Sequence, residues 1–172
     1  MRNEGGAEAG PDGATRARTP AELEGETPDL LQRAAELAIA YRASLPDRPV
    51  GAKPGLTAEA LRATLGGPVP EHGEDPRAVI EAMARDVEPG LVAMGSPRYF
   101  GFVIGGSVPA ALAADWLTSA WDQNGGMFLM APAASVVEEI VGEWLVDLLG
   151  LPAGSSVGFT TGATVAHLVA VL

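Results

Sequence analysis

The sequence has 172 residues, of which 47% are apolar and 19% charged, and its formal net charge is −11. This length suits one ordinary domain, and the acidic excess argues against nucleic acid or anionic membranes as partners, because phosphate binding relies on clustered Lys and Arg. The absence of cysteine excludes disulfides and thiolate metal sites. No segment resembles a signal peptide and no apolar run approaches the ~20 residues of a membrane span, so we expect a cytoplasmic protein. We also expect no metal site.

The first 26 residues are predicted to form a disordered acidic leader. Their only large apolar side chains are Met1 and Leu23, and such a segment cannot bury enough surface to offset the entropy lost on ordering. Residues 27–95 are predicted to form an N-terminal helical arm. Residues 96–172 have a different texture, with strand-like segments between helices, and we predict that they begin a second domain.

Three helices are predicted in the arm, over residues 27–44, 57–66 and 75–90. The first and third begin with a capping side chain followed by proline, as Thr27-Pro28 and Asp75-Pro76. This pairing is typical of a helix start, because the capping oxygen accepts a free N–H and proline is tolerated in the first turn. The first and third helices have apolar residues at helical spacing, and we expect these stripes to be buried.

Two segments of the second domain are predicted to be extended, the first as an extended or strand-like segment and the second as a short strand. Tyr99–Ile104 is aromatic and β-branched and stops at Gly105-Gly106, and Val157–Thr160 precedes a turn of small residues. A strand and its first crossover helix do not make a sheet, so we expect this chain to be the front part of a longer protein or to pack against another chain. Helices are predicted over residues 110–121, 132–149 and 165–172.

A strand followed by Thr160-Thr161-Gly162-Ala163-Thr164 and then a helix is an arrangement that can bind an anion. Small residues let the backbone approach the anion, and N–H groups and a hydroxyl at the helix start can neutralise it. The alternative is an ordinary helix cap, because such turns are common. The chain has no P-loop lysine and no dinucleotide-binding glycine pattern after this turn, so a nucleotide is not the expected ligand.

Several stretches, taken in order, resemble one family of enzymes. The run Ser96–Phe102 is similar to a His-Pro-x-Phe-Phe-x-Phe/Tyr motif, and Ser107–Asp115 to a Ser-x-Pro-small-Leu-Ala-Asp helix start. Ala131–Glu138 is similar to an Ala/Ser-Pro-x5-Glu run, and Gly158–Ala166 to a cofactor-phosphate turn. Together they resemble the group II pyridoxal-phosphate-dependent amino-acid decarboxylases, the relatives of aromatic-amino-acid and glutamate decarboxylases.

The resemblance implies an α/β fold and an enzyme of amino-acid metabolism. The chain would supply the N-terminal helical arm and the first strand and helix of an aminotransferase-like (fold type I) domain, a mostly helical part of the whole. The implied cofactor is pyridoxal 5'-phosphate, the implied partner an amino-acid substrate, and the implied assembly a homodimer. The reaction would be α-decarboxylation, in which the cofactor ring accepts the electron pair left by carbon dioxide.

The resemblance also assigns residues to the two halves of such a site. The cofactor phosphate would be bound by Gly162, Ala163 and Thr164, and the substrate side chain would be lined by Phe102, Val103, Ile104 and Pro132. The apolar Phe102–Ile104 favours an aromatic substrate. Where the family has histidine, this sequence has Ser96, and Val165 and His167 also depart from the family pattern.

No catalytic residue is assigned in this chain. The only lysine is Lys53, which lies in the arm and does not match the lysine that binds the cofactor in the family. We therefore expect the chain on its own to have no turnover. An alternative hypothesis is a non-catalytic helical interaction module, a truncated paralogue that binds a partner through the apolar residues 107–172.

Overall fold

The computed structural model describes residues 19–171, which fold into α-helices joined by turns and loops. The described chain divides into two compact units, the first ending at Ser107 and the second beginning at Val108. This division lies later than the predicted boundary at residues 95 and 96. The helices are α1 (Pro20–Ser44), α2 (Ala58–Leu65), α3 (Pro76–Val87), α4 (Pro109–Trp121), α5 (Pro132–Leu148) and α6 (Ala163–Val171), with a 3₁₀ turn at Glu88–Gly90.

Helix α1 begins earlier than predicted. Thr19 caps it, because its hydroxyl accepts the N–H of Glu22 while the Glu22 carboxylate accepts the N–H of Thr19. This reciprocal cap starts the helix at Pro20 and carries it through Pro28, which was expected to be its first turn. The predicted disordered leader is therefore wrong for residues 19–26, and its remaining residues, 1–18, lie outside the described part.

The other helix starts follow the sequence signals closely. Thr57 caps α2 by accepting the N–H of Ala60, and Asp75 caps α3 by accepting the N–H of Ala78 at 2.9 Å. Proline occupies the first turn of α3, α4 and α5, as the sequence predicts. Helix α5 is followed by Gly150 with a φ of +62°, a left-handed residue that ends the helix.

Neither predicted strand forms in the described residues, 19–171, which contain helices, turns and loops only. Tyr99–Ile104 turns back on itself, with φ values of +58° at Phe102 and +54° at Val103 that are incompatible with a strand. Val157–Thr160 has no neighbouring strand in this part of the chain to bond its backbone. The α/β class is therefore not visible in these residues, and both strand predictions are wrong.

In the first unit, α3 packs against both α1 and α2. Arg33 on α1 binds the Glu81 carboxylate on α3 through two nitrogens, with Nη2 3.0 Å from Oε2, and Arg48 after α1 pairs with Glu88 after α3. These ion pairs join the two helices near the middle and near the end of their contact.

Few apolar side chains are fully buried in the described chain. They are Leu45, Ala93 and Ala131, each at most 3% exposed. The stripes expected to form a core stay accessible: Met83 on α3 is 56% exposed and Trp144 on α5 is 67% exposed. The predicted burial is therefore wrong for these two residues, whereas Leu30, Leu37 and Tyr41 on α1 are half-buried.

Candidate functional site

The predicted phosphate turn forms the start of helix α6. The helix begins at Ala163, and the N–H of Ala166 donates to the carbonyl of Gly162 at 3.0 Å, which closes the first helical turn. The N–H groups of such a first turn have no partners within the helix and point outwards along its axis. Ala163 and Thr164 are both exposed. The prediction that a helix starts at this turn is confirmed.

The shape of this turn leaves room for a ligand. Thr160 donates its hydroxyl to the carbonyl of Gly162 at 3.1 Å, which folds the approach to the helix. A Cβ built on Gly162 would meet no atom within 4 Å. The Thr164 hydroxyl lies in the first turn, and His167 follows one turn later on an exposed position. The backbone N–H groups of this turn and the Thr164 hydroxyl could donate hydrogen bonds to an anion in this open position.

The second unit has no lysine or arginine side chain that could bind an anion, so the start of α6 is its main candidate for an anion site. Between Val108 and Leu172 the sequence contains no lysine and no arginine. Apart from the His167 imidazole, the groups of this unit that can stabilise an anion here are backbone N–H groups, hydroxyls and the positive end of a helix. This donor set fits the phosphate group of a cofactor.

Three of the four residues predicted to line the substrate, Phe102, Val103 and Ile104, lie in the first unit, on an exposed turn. Phe102 is 88% exposed and Val103 is fully exposed, whereas Ile104 is 47% exposed. Both Phe102 and Val103 have left-handed backbone conformations, which are rare for residues with large side chains. The turn therefore presents two apolar side chains to solvent in a conformation that needs outside support.

The fourth predicted substrate residue, Pro132, is the first residue of α5 in the second unit. It follows Ala131, which is 1% exposed, and is itself exposed. The structure thus places Pro132 and Gly162–Thr164 in one unit, each at a helix start, and Phe102–Ile104 in the other.

Sequence reasoning missed a group of polar residues at the base of the exposed turn. Ser96 is 5% exposed, and its hydroxyl accepts the N–H of Arg98 at 3.2 Å. The Arg98 side chain donates through Nη2 to the carbonyl of Arg48 at 2.6 Å. The sequence does single out Arg98, which is the only Lys or Arg residue between Leu91 and Leu172, but it does not indicate this contact.

The second unit also contains an open cleft of about 920 Å³ beside α5. Its lining combines carboxylates of α5 with glycines and other small residues. Gly162, Ala163 and Thr164 are not among its lining residues. In the part of the chain that the structure describes, no three His, Asp or Glu side chains are grouped so that they could hold a metal ion. The carboxylates that line the cleft are Glu138, Glu139, Glu143 and Asp147.

Among residues 19–171, no helix has both the length and the apolar character needed to cross a bilayer.

The family profile of the pyridoxal-dependent decarboxylase conserved domain matches residues 59–172, about two thirds of the chain. The chain belongs to this family. The family depends on pyridoxal phosphate, so the cofactor is pyridoxal 5'-phosphate. The donors at the start of α6 fit the phosphate group of this cofactor.

Individual relatives are consistent with this assignment. The chain is 26% identical over 138 residues to an aromatic-L-amino-acid decarboxylase from Bacillus atrophaeus, covering 80% of this chain and 28% of the relative. The solved structure of Oryza sativa TDC with PLP and tryptamine is similar at a TM-score of 0.68 and 25% identity, covering 79% of this chain and 27% of that one.

A Rhodiola rosea 4-hydroxyphenylacetaldehyde synthase structure is similar at a TM-score of 0.63, 25% identity, and coverage of 78% of this chain and 27% of that one. The chain therefore spans about a quarter of the length of the relatives that it matches. These relatives include both a decarboxylase and an aldehyde synthase.

Proposed function

We propose that this chain is the N-terminal part of a pyridoxal-phosphate-dependent L-amino-acid decarboxylase, a carboxy-lyase that acts as a homodimer in the cytoplasm. The observation that carries the proposal is the start of α6, a helix with free N–H groups and a hydroxyl, in a chain whose family depends on this cofactor. The whole protein would have the three-layer α/β fold of the aminotransferase-like enzymes.

In this proposal Gly162, Ala163 and Thr164 bind the cofactor phosphate. The N–H groups of Ala163 and Thr164 donate to phosphate oxygens, and the Thr164 hydroxyl adds a third donor. The positive end of α6 stabilises the phosphate charge, which matters because this unit has no lysine or arginine. The binding of the phosphate fixes the position of the rest of the cofactor.

When bound, the pyridoxal ring supplies an electron sink for the pair of electrons left on the α-carbon after carbon dioxide departs. The residues of this chain contribute binding and orientation. Phe102, Val103, Ile104 and Pro132 contact the substrate side chain, and their apolar surfaces exclude water from it. An apolar lining favours substrates with aromatic side chains over acidic ones, because an acidic side chain would lose its hydration there.

The proposal is tested by replacing Thr164 with valine, which keeps the volume and removes the hydroxyl donor. We expect Thr164→Val to weaken pyridoxal phosphate binding by the loss of one hydrogen bond to a charged group, about 1.5–3 kcal/mol or roughly ten- to a hundred-fold. The measurement is a cofactor titration of the whole protein by calorimetry, with visible absorbance as a second signal.

Two further threonine variants serve as controls. Thr118→Val removes a hydroxyl that donates to the Ala114 carbonyl within α4, at 2.9 Å, so it should leave cofactor affinity unchanged. Thr160→Val removes the hydroxyl bonded to Gly162 and should reduce affinity far less than Thr164→Val. Equal affinity of the Thr164→Val and Thr118→Val proteins would contradict the proposed phosphate site.

A further inference from the structure

The turn at Phe102 and Val103 is strained. A left-handed backbone brings Cβ close to the following carbonyl oxygen, and the cost is greatest for a β-branched residue such as valine. The two side chains are 88% and fully exposed, so packing at the turn itself does not compensate for this cost. The conformation must therefore be held at its base.

The base of the turn begins at the buried Ser96. Its hydroxyl accepts the N–H of Arg98 and its carbonyl accepts the N–H of Tyr99 at 3.0 Å, which gives a compact turn just before the exposed residues. The Tyr99 ring then lies over Gly101, where a Cβ would come within 2.9 Å of the Tyr99 Oη. Local contacts thus shape the chain from Ser96 to Gly101, one residue before the strained pair.

One contact ties this base to a distant part of the unit. The Arg98 Nη2 donates to the Arg48 carbonyl at 2.6 Å, fifty positions earlier, just after α1. Arg48 is itself held, because its guanidinium pairs with Glu88, donates to the Ser44 hydroxyl at 3.3 Å and lies 4.8 Å from the centre of the Tyr41 ring. The acceptor for Arg98 is therefore a fixed point of the arm.

We propose that Arg98 is a positioning residue that holds the Phe102-Val103 turn in its strained conformation by anchoring the base of the turn to Arg48. A hydrogen bond from a guanidinium to a fixed carbonyl limits the rotation of the Ser96–Gly101 segment about its start, and so keeps the exposed pair in one place. The inference rests on the proposed function in one respect, that this turn contacts the side chain of an aromatic amino-acid substrate.

Three variants test the anchor. Arg98→Met keeps most of the side-chain volume and removes all donors, Arg98→Lys keeps the charge and a donor, and Arg62→Met is the control. Arg62 has the same charge, is 76% exposed on α2 and pairs only with Glu59 one turn away, at 3.6 Å. Arg62→Met therefore removes one positive charge, as Arg98→Met does, but leaves the bond from Arg98 to Arg48 in place.

The first measurement is hydrogen–deuterium exchange of the whole protein followed by mass spectrometry. We expect Arg98→Met to speed exchange of residues 99–104 by about three- to ten-fold, the effect of one exposed charge-assisted hydrogen bond. Arg98→Lys should restore part of the protection, and Arg62→Met should match the unmodified protein. Unchanged exchange in Arg98→Met, or an increase that spreads into α1 and α3, would overturn the anchor.

The second measurement is decarboxylation of L-tyrosine and L-tryptophan by the cofactor-loaded protein. If Arg98 positions the substrate turn, Arg98→Met should raise KM by about three- to ten-fold, the factor expected for the exchange rate, and should leave kcat unchanged. A fall in kcat with unchanged KM would overturn the positioning role. If the unmodified loaded protein decarboxylates neither L-tyrosine nor L-tryptophan, the proposed decarboxylation of aromatic amino acids is wrong, and the exchange comparison alone then decides whether Arg98 anchors the turn.

Discussion

The contact between Arg33 and Glu81 is the most direct link between α1 and α3. Arg33 also binds Glu36 on its own helix, at 2.9 Å, so one guanidinium holds two carboxylates. Hydrogen bonding to Arg33 lowers the pKa of Glu81 below its ordinary value, and the two carboxylates raise the pKa of Arg33. Both side chains are partly exposed, at 27% and 39%, so solvent screens the pair.

This pair predicts a pH dependence of stability. Because the folded pKa of Glu81 lies below the unfolded value of about 4.3, the pair stabilises the fold fully above that pH and loses its effect as pH falls through the lowered pKa. We expect the melting temperature of the unmodified protein to exceed that of Glu81→Gln at pH 7. The difference should shrink steadily below about pH 4 in circular-dichroism melts.

A control on α2 separates this effect from a general loss of carboxylate charge. Glu59→Gln removes a carboxylate that is 82% exposed and lies 3.6 Å from Arg62 within one helix. Its melting temperature should follow that of the unmodified protein at every pH, because exposed pairs within a helix contribute little. A Glu81→Gln melting temperature that differs from the unmodified one by the same amount at pH 3 and pH 7 would contradict the lowered pKa.

At the scale of elements, the sequence predicts helices well because their start and stop signals are local. The caps at Thr57 and Asp75, the prolines of the first turns and the stop at Gly150 all act within a few residues. The strand prediction at Val157–Thr160 fails because a strand depends on a partner that lies elsewhere, and the one at Tyr99–Ile104 fails because Phe102 and Val103 have left-handed backbone.

In the candidate site, too, features with a local sequence signal are predicted and features without one are not. The helix start at Ala163 follows from a local pattern of small residues and was predicted from it. The left-handed turn at Phe102 and Val103 was not, because neither residue type favours that conformation. The bond from Arg98 to the Arg48 carbonyl joins residues fifty positions apart and has no local signal in the sequence.

The left-handed stop of α5 gives a prediction for one element. Gly150 has a φ of +62° and its N–H donates to the Asp147 carbonyl at 3.0 Å, so an added Cβ would be strained although the space is open. We expect Gly150→Ala to destabilise the end of α5 by about 1 kcal/mol. The measurement is thermal unfolding followed by circular dichroism.

Gly158→Ala is the matched control for this strain. Gly158 also has open space around it, and its backbone does not have a positive φ. Alanine there should be neutral or slightly stabilising, because it restricts the unfolded chain. If Gly150→Ala and Gly158→Ala have the same melting temperature, the left-handed stop does not contribute to the stability of α5.

At the scale of the whole molecule, acidity and exposed apolar surface act in opposite directions. The net charge of −11 makes molecules repel one another. The second unit nevertheless exposes a stripe along α5, and contiguous apolar surface of this kind favours association. The stripe consists of Val137, Ile140, Trp144 and Leu148, which are 57%, 38%, 67% and 80% exposed.

We therefore expect the 172-residue chain to associate into dimers or larger species, and to do so more strongly as salt rises. Raising the salt concentration from about 0.05 to 0.5 M shortens the Debye length from roughly 14 to 4 Å, so it screens the charge repulsion and leaves the apolar attraction in place. Sedimentation velocity at both salt concentrations measures the distribution of species. A monodisperse monomer at both would show that this exposed surface does not drive association.

The α5 stripe can be tested directly with a double variant, Trp144→Glu with Leu148→Glu. Two carboxylates one turn apart on the exposed face should keep the helix and reduce association, because they add repulsion where the apolar contact would form. The control is Leu65→Glu with Val69→Glu, which adds the same charge at exposed positions of the first unit. If both double variants reduce association equally, net charge alone controls it; if only the α5 variant does, this stripe is the surface through which the chains meet.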